Sequence, residues 1–273
     1  MEVACKRGNL ETARNVVEGI ETKSLGYELV LAELSGEDLI TYDTEFAQDT
    51  AIYAKTLVAK NKILLSNSFL DVTDLAYQRA CILHEVGHIH YGKQFTFHRV
   101  PILDLGRKFA DTFGQNATYS KQVSVEFSFL TEMANIYSEL WADKFLLESS
   151  ANLFVRYALQ DKYVKNDTVR LEEEGGLSIV HCLNRTMMYS FWRNHFEPED
   201  EAHKTCTRMI AKYRTRLDEI SSTHNVDLGD LEELCSDLVY TLGSIALINE
   251  RYWDLSKEYC NLVFDVYAGL ESR

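Results

Sequence analysis

The chain has 273 residues, of which 46% are hydrophobic and 26% charged, so it is long enough to bury a sizeable core and does not have the composition of a disordered protein. Its 42 acidic residues outnumber the 28 basic ones, giving a net charge of −14. Such a charge opposes both a phosphate backbone and an anionic membrane, which argues against nucleic acid as a partner.

Apolar stretches in the chain are too short or too interrupted to span a bilayer, as at residues 238–248. No apolar segment typical of a secretory signal peptide follows the N-terminal Met-Glu-Val-Ala-Cys-Lys-Arg. The six cysteines are scattered without a C-x-x-C pair, which favours buried, reduced thiols. We therefore expect a soluble, cytoplasmic protein with no membrane partner.

The N-terminal part predicts a helix followed by a small sheet. Residues 8–19 have apolar positions at helical spacing. Three segments rich in Val, Ile, Leu, Thr and Tyr come next, at residues 27–34, 38–42 and 51–59. Residues 60–62 are typical of a hairpin tip and lead into the apolar residues 63–65.

A second helix is predicted from about residue 74 to Gly92, with Asp71 or Thr73 as its N-cap. Its buried side is supplied by apolar residues at positions 75, 82, 83, 86 and 89. Residues 93–122 predict a loop with a short helix. Residues 123–148 contain neither proline nor glycine and have apolar residues at three- or four-residue steps, so they predict one long helix.

The remainder of the chain keeps a helical pattern, with predicted segments near residues 151–161, 176–195, 199–222, 228–247 and 250–270. Breaks are expected at residues 173–176 and 225–229. The many aromatic residues of these helices are expected in the core, and recognition of a protein partner is the alternative. The predicted fold is α+β but predominantly helical, with a domain at residues 1–150 and a helical region at residues 151–273.

The run His84-Glu85-Val86-Gly87-His88 matches the H-E-x-x-H pattern of zinc hydrolases. Residues four apart share one face of a helix, so His84 and His88 can present two imidazoles to one metal ion. Glu85 projects beside them, where it can take a proton from a metal-bound water without being a ligand. The sequence therefore predicts one Zn²⁺ per chain, with a third protein ligand from elsewhere.

A carboxylate motif, Glu139-Leu140-Trp141-Ala142-Asp143, follows on the predicted long helix. With H-E-x-x-H, this motif resembles the gluzincin metallopeptidases, whose pattern adds a Glu ligand in an E-x-x-A-D/N setting. The resemblance covers about residues 50–148 and spans minigluzincins, ImmA/IrrE-type and HtpX-like peptidases. It implies a zincin-like domain in which Glu139 is the third ligand and Asp143 hydrogen-bonds a ligand histidine.

Two other carboxylates on the same predicted helix, Glu132 and Glu126, compete with Glu139 for the third-ligand position. Two helical turns bring Glu132 back to nearly the same face as Glu139. A third histidine of the metzincin type is disfavoured because residue 94 is Gln.

These residues predict a zinc metallopeptidase, an endopeptidase rather than an exopeptidase, that acts on a protein or peptide substrate. Hydrolysis also needs a hydrogen-bond donor for the tetrahedral oxyanion. The candidates are His98, Tyr91 and Tyr137, and spacing does not choose among them. Residues 56–65 can offer a sheet edge to an extended peptide, or serve as a plain hairpin of the core sheet.

The alternative function is a non-catalytic or regulated zinc-binding protein with a peptidase-like fold. In that case the C-terminal helices would engage a protein partner. A cleft covered by residues 93–122 would favour this alternative.

Overall fold

A computed structural model describes residues 30–33, 54–65, 74–95, 136–172 and 179–271. These residues are predominantly helical, which confirms the predicted helical content. The helix predicted at residues 8–19, the strand at residues 38–42 and residues 96–135 lie outside the described residues.

A small sheet precedes the helices. Its strands are β1 (Val30–Glu33), β2 (Ala54–Leu57) and β3 (Lys62–Leu65). β3 lies between the other two, parallel to β1 and antiparallel to β2, with Thr56 opposite Ile63. A 3₁₀ turn and Asn61, whose φ is 51°, join β2 to β3. Asn tolerates this left-handed conformation better than most residues, which explains the hairpin tip at this position.

Helix α1 spans Leu75–Gly92. Its N-cap is Asp74, whose side chain accepts hydrogen bonds from the backbone N–H groups of Ala76 and Tyr77 at 3.0 and 3.1 Å. The predicted caps Asp71 and Thr73 lie too early, because an N-cap must directly precede the first helical residue. Most of α1 from residue 80 to residue 91 is buried, as expected of a helix at the centre of a core.

The later helices agree with the predicted segments within a few residues, except at two places. Residues 136–149 form helix α2. The further helices are α3 (Ala151–Phe154), α4 (Lys165–Glu172), α5 (Ile179–Arg193), α6 (Glu201–His224), α7 (Gly229–Leu242), α8 (Ile245–Leu247) and α9 (Trp253–Glu271). A π-helical segment, Val155–Val164, joins α3 to α4, so the helical stretch predicted to end near residue 161 runs on to Glu172. A second π-helical segment, Ile248–Tyr252, joins α8 to α9.

The chain divides into two compact units. One comprises Met1–Gln94 and Trp141–Lys162, and the other comprises Phe95–Leu140 and Tyr163–Arg273. The sheet and α1 thus belong to the first unit, and α5 to α9 belong to the second. A domain boundary near residue 150 stays a prediction.

Each unit has its own apolar core. In the first unit, the sheet and α1 contribute fully buried side chains, among them Ile63, Leu65, Ile82 and Val86. In the second unit, the core is rich in buried aromatic residues, as predicted for the C-terminal helices: Tyr189, Phe191, Trp192, Tyr213, Tyr252 and Tyr259. Across the described ranges, no helix has the length and apolar character needed to cross a membrane.

Candidate metal centre

Helix α1 presents the two histidines of the H-E-x-x-H motif side by side. The ring centroids of His84 and His88 are 4.8 Å apart, and the ring planes are nearly perpendicular at 89°. His84 is buried and His88 is half-buried. Helical spacing therefore brings the two imidazoles together as the sequence predicts.

Glu139 joins the two histidines. One ligand atom from each of His84, His88 and Glu139 lies within 4.8 Å of the others. Among the described residues, these three form the one group of histidine, cysteine and carboxylate side chains close enough to share a metal ion. The competing carboxylates Glu132 and Glu126 lie outside the described residues.

Glu139 lies on helix α2. The residues of α2 from Trp141 onward belong to the first unit, together with α1. Glu139 and Asp143 are four residues apart, so the helix backbone places them one turn apart on the same face.

Asp143 hydrogen-bonds one of the two histidines. Its Oδ1 lies 2.8 Å from Nδ1 of His84, and both side chains are buried. A carboxylate is chiefly a hydrogen-bond acceptor, so this pairing favours the tautomer in which Nδ1 of His84 donates to Asp143. In that tautomer the lone pair is on Nε2, which is the nitrogen that can bind a metal ion.

Glu85, the expected proton acceptor, is half-buried and contacts the sheet. The hydroxyl of Thr56 on β2 lies 2.5 Å from Oε2 of Glu85 and 3.2 Å from its backbone oxygen. Sequence reasoning placed Thr56 in a segment that can offer a sheet edge to a peptide, and it did not predict the contact with Glu85, because a strand pattern does not show which side chain faces a helix 29 residues later.

Gly87, between the two histidines, allows α1 and α2 to approach each other closely. A Cβ atom at Gly87 would lie 2.7 Å from Cα of Ala142 and 2.8 Å from Cβ of Phe145. These distances are well below normal van der Waals contact, so no larger residue fits without a shift of the helix backbone. The small residues Gly87 and Ala142 are visible in the two motifs and could have signalled this contact.

Two of the three candidate oxyanion donors have other contacts. Tyr91 donates a hydrogen bond from its hydroxyl to Oε2 of Glu148 at 3.1 Å, and burial raises the pKa of this tyrosine. Tyr137 packs its ring edge-on against Phe95 and Tyr252, with centroids 4.8 and 5.3 Å away. His98 lies outside the described residues. The oxyanion donor stays a prediction with no preferred residue.

Tyr157 is a neighbour of the site that sequence reasoning missed. Its ring centroid lies 6.2 Å from that of His84 and 5.2 Å from that of Tyr77. It belongs to the first π-helical segment, and π-helical turns occur often at functional sites. No sequence pattern predicts a π-helical segment. The contact between Tyr157 and His84 is therefore visible only in the three-dimensional structure.

Cys81 precedes His84 by three residues and is buried. Burial raises the pKa of its thiol to about 12, although a hydrogen bond with Tyr157 lowers this pKa in part. The thiolate is the form that binds metals and reacts with oxidants. Cys81 therefore acts as a small core residue beside the site.

No family model, curated protein or solved structure is significantly similar to this chain. The residues of the site are therefore the basis for a functional proposal.

Proposed function

We propose that this protein is a zinc-dependent metallopeptidase of the gluzincin type, with a zincin-like catalytic domain. The supporting observation is the convergence of His84, His88 and Glu139 within 4.8 Å, with Glu85 next to the first histidine in the sequence. We infer an endopeptidase of the cytoplasm that acts on a protein or peptide, as the motif resemblance implies.

The donor set fits zinc. Two imidazole nitrogens and one carboxylate oxygen match the ligands of catalytic zinc sites, which keep a fourth position for water. Tetrahedral zinc holds its ligand atoms roughly 3.3 Å apart. The ligand atoms of the three side chains lie within 4.8 Å of one another, so small side-chain rotations would bring them to that separation. The buried carboxylate of Asp143 adds negative charge behind His84, which favours a cation at this position.

Zn²⁺ bound here would lower the pKa of a water molecule to near neutrality and polarise the scissile carbonyl group. Glu85 accepts the proton that the attacking water loses and later delivers it to the leaving amine. Asp143 keeps His84 in the tautomer that binds metal. Among the described strands β2 lies at an edge of the sheet, where its backbone groups can pair with an extended substrate peptide.

Metal content tests the site directly. Elemental analysis of the purified wild type, after dialysis against zinc buffer, should find about one zinc per chain. Glu139→Ala should lose this zinc, whereas Glu132→Ala and the same-helix control Glu148→Ala should keep it. A wild type without zinc, or a loss confined to Glu132→Ala, would contradict the proposed ligand set.

Catalysis is tested separately with Glu85→Gln. This variant should keep its zinc and lose hydrolysis of an unfolded protein such as denatured casein, followed by mass spectrometry of the released peptides. Hydrolysis at the wild-type rate would contradict the role of Glu85. A zinc-loaded wild type that cleaves neither casein nor a mixed peptide library would favour the alternative function, a zinc-binding protein that acts through a partner.

A further inference from the structure

Thr56 on strand β2 contacts Glu85, the proposed proton acceptor of the site. Its hydroxyl oxygen lies 2.5 Å from Oε2 of Glu85 and 3.2 Å from the carbonyl oxygen of the same residue. Both acceptors belong to Glu85, and a hydroxyl has a single proton to donate. The shorter contact goes to the carboxylate, where a charge-assisted hydrogen bond is the stronger one.

The strand fixes where this hydroxyl stands. Thr56 is paired opposite Ile63, a fully buried residue of β3. Because Thr is β-branched, its χ1 is restricted and its hydroxyl has few alternative positions. Glu85 lies on α1, most of whose side chains from residue 80 onward are buried in the first unit. The donor of the hydrogen bond is thus positioned by the strand, and the acceptor by the helix.

We infer that Thr56 is a positioning residue for Glu85. This inference rests on the proposed function. The hydrogen bond occupies Oε2 of Glu85 and thereby fixes the plane of the carboxylate, leaving Oε1 as the oxygen that meets the attacking water. Without the hydroxyl, the Glu85 side chain rotates among rotamers and loses part of its alignment, which is a source of catalytic power. Metal binding itself does not need the Thr56 hydroxyl, since its hydrogen bonds go to Glu85, which is not one of the proposed ligands.

A small chelating probe can measure the placement of Glu85 without a known substrate. Acetohydroxamic acid binds zinc through its two oxygens as acetohydroxamate, and the proton that its N-hydroxyl group loses passes to a carboxylate beside the metal. Its affinity for the zinc-loaded protein therefore reports whether Glu85 is aligned. Isothermal titration calorimetry would measure both the zinc and the acetohydroxamate dissociation constants, with Glu85→Gln as the reference for a lost carboxylate.

Thr56→Val removes the hydroxyl at nearly constant shape. We expect its zinc dissociation constant to stay within about twofold of wild type, while the acetohydroxamate dissociation constant rises about tenfold, the size of one lost hydrogen bond to a charged group. Thr56→Ser should restore the wild-type affinity. The matched control is Thr186→Val, in which the lost hydroxyl bonds only the carbonyl oxygen of Cys182.

The outcomes separate this inference from the proposed function. A wild type that binds no zinc, or binds zinc but no acetohydroxamate, would overturn both. If Glu85→Gln weakens acetohydroxamate binding and Thr56→Val does not, only the role inferred for Thr56 is wrong. An equal loss of zinc and probe affinity in Thr56→Val, or a failure of Thr56→Ser to restore the probe, would make Thr56 structural. Should Thr56→Val not fold, Thr56→Ala removes the same hydroxyl with less bulk.

Discussion

Each of the two units buries an aspartate, and the two aspartates are satisfied in different ways. Asp143 in the first unit is fully buried and bonds Nδ1 of His84. Asp167 in the second unit is 1% exposed and accepts a hydrogen bond from Tyr189 at 2.8 Å. It also lies 3.3 Å from Nε of Arg185. Burial of a carboxylate therefore does not by itself mark a functional site, and the two aspartates differ in the chemistry of their partners: an imidazole that can bind a metal for Asp143, and a phenol and a guanidinium for Asp167.

The partners of Asp167 serve to neutralise it within the fold. The guanidinium of Arg185 lies over the ring of Tyr163, with 5.1 Å between Cζ and the ring centroid. Burial raises the pKa of both Tyr189 and Tyr213, so their hydroxyls stay protonated and able to donate. This network ties α4 to α5 within the second unit. By contrast, the imidazole that Asp143 orients has a second nitrogen for a metal ion.

The largest effect is expected from Asp167→Ala. Removing one partner of a buried ion pair leaves the other without its counter-charge and costs about 3–5 kcal/mol of the free energy of unfolding. Urea denaturation followed by circular dichroism would measure this loss, and zinc affinity should not change. Asp218→Ala, which removes an exposed aspartate of α6, should cost less than about 0.5 kcal/mol. A loss below about 1 kcal/mol for Asp167→Ala would show that the network contributes little.

Asp143→Asn should weaken zinc binding, which Asp167→Ala should leave unchanged. The amide keeps the shape but loses the charge that strengthens the hydrogen bond to His84, and the loss of such a partner typically weakens metal binding 10- to 100-fold, or about 1.4–2.7 kcal/mol. Competition with a fluorescent zinc chelator would measure the dissociation constant. Glu148→Gln, on the same helix and bonded to Tyr91, should bind zinc like the wild type. Unchanged zinc affinity in Asp143→Asn would remove the distinction between the two aspartates.

Local patterns predicted much of this structure. The 3.6-residue spacing of apolar residues predicted α1 and α5 to α7 within a few residues. This works because the residues of a helix's buried face recur at regular intervals within one short stretch of sequence. The same spacing placed His84 beside His88. The break expected at residues 173–176 lies outside the described residues.

Contacts between distant segments that no motif marks were not predictable from one sequence. The bond from Thr56 to Glu85 depends on how the sheet is placed against α1, and strand propensity carries no information on that placement. The approach of Tyr157 to His84 depends on a π-helical segment whose residues look like those of an ordinary helix. The sequence motif implied that Asp143 would bond a ligand histidine, and the structure pairs it with His84 rather than His88.

The smallest effect, and the one that sharpens the comparison most, is expected from Gly87→Ala. In an exposed helix this change would stabilise the fold by about 1 kcal/mol, because Ala has the higher helix propensity. Here the added Cβ meets the backbone of Ala142 at 2.7 Å, and overpacking of this kind costs about 1–3 kcal/mol. The gain in helix propensity and the cost of overpacking together leave a net loss of about 1 kcal/mol in the free energy of unfolding.

The strain from Gly87→Ala should act on the site as well as on the fold, because α1 and α2 can relieve it only by moving apart. That movement takes His84 away from Asp143, and it takes both histidines away from Glu139. Zinc affinity should therefore fall together with the free energy of unfolding, measured by chelator competition and urea denaturation. Gly92→Ala is the matched control on the same helix, since its Cβ would meet only the side chain of Val58, at 3.0 Å or more, whose methyl groups can rotate aside. Equal zinc affinity in the two variants would mean that the close approach of the helices stabilises the fold without setting the geometry of the site.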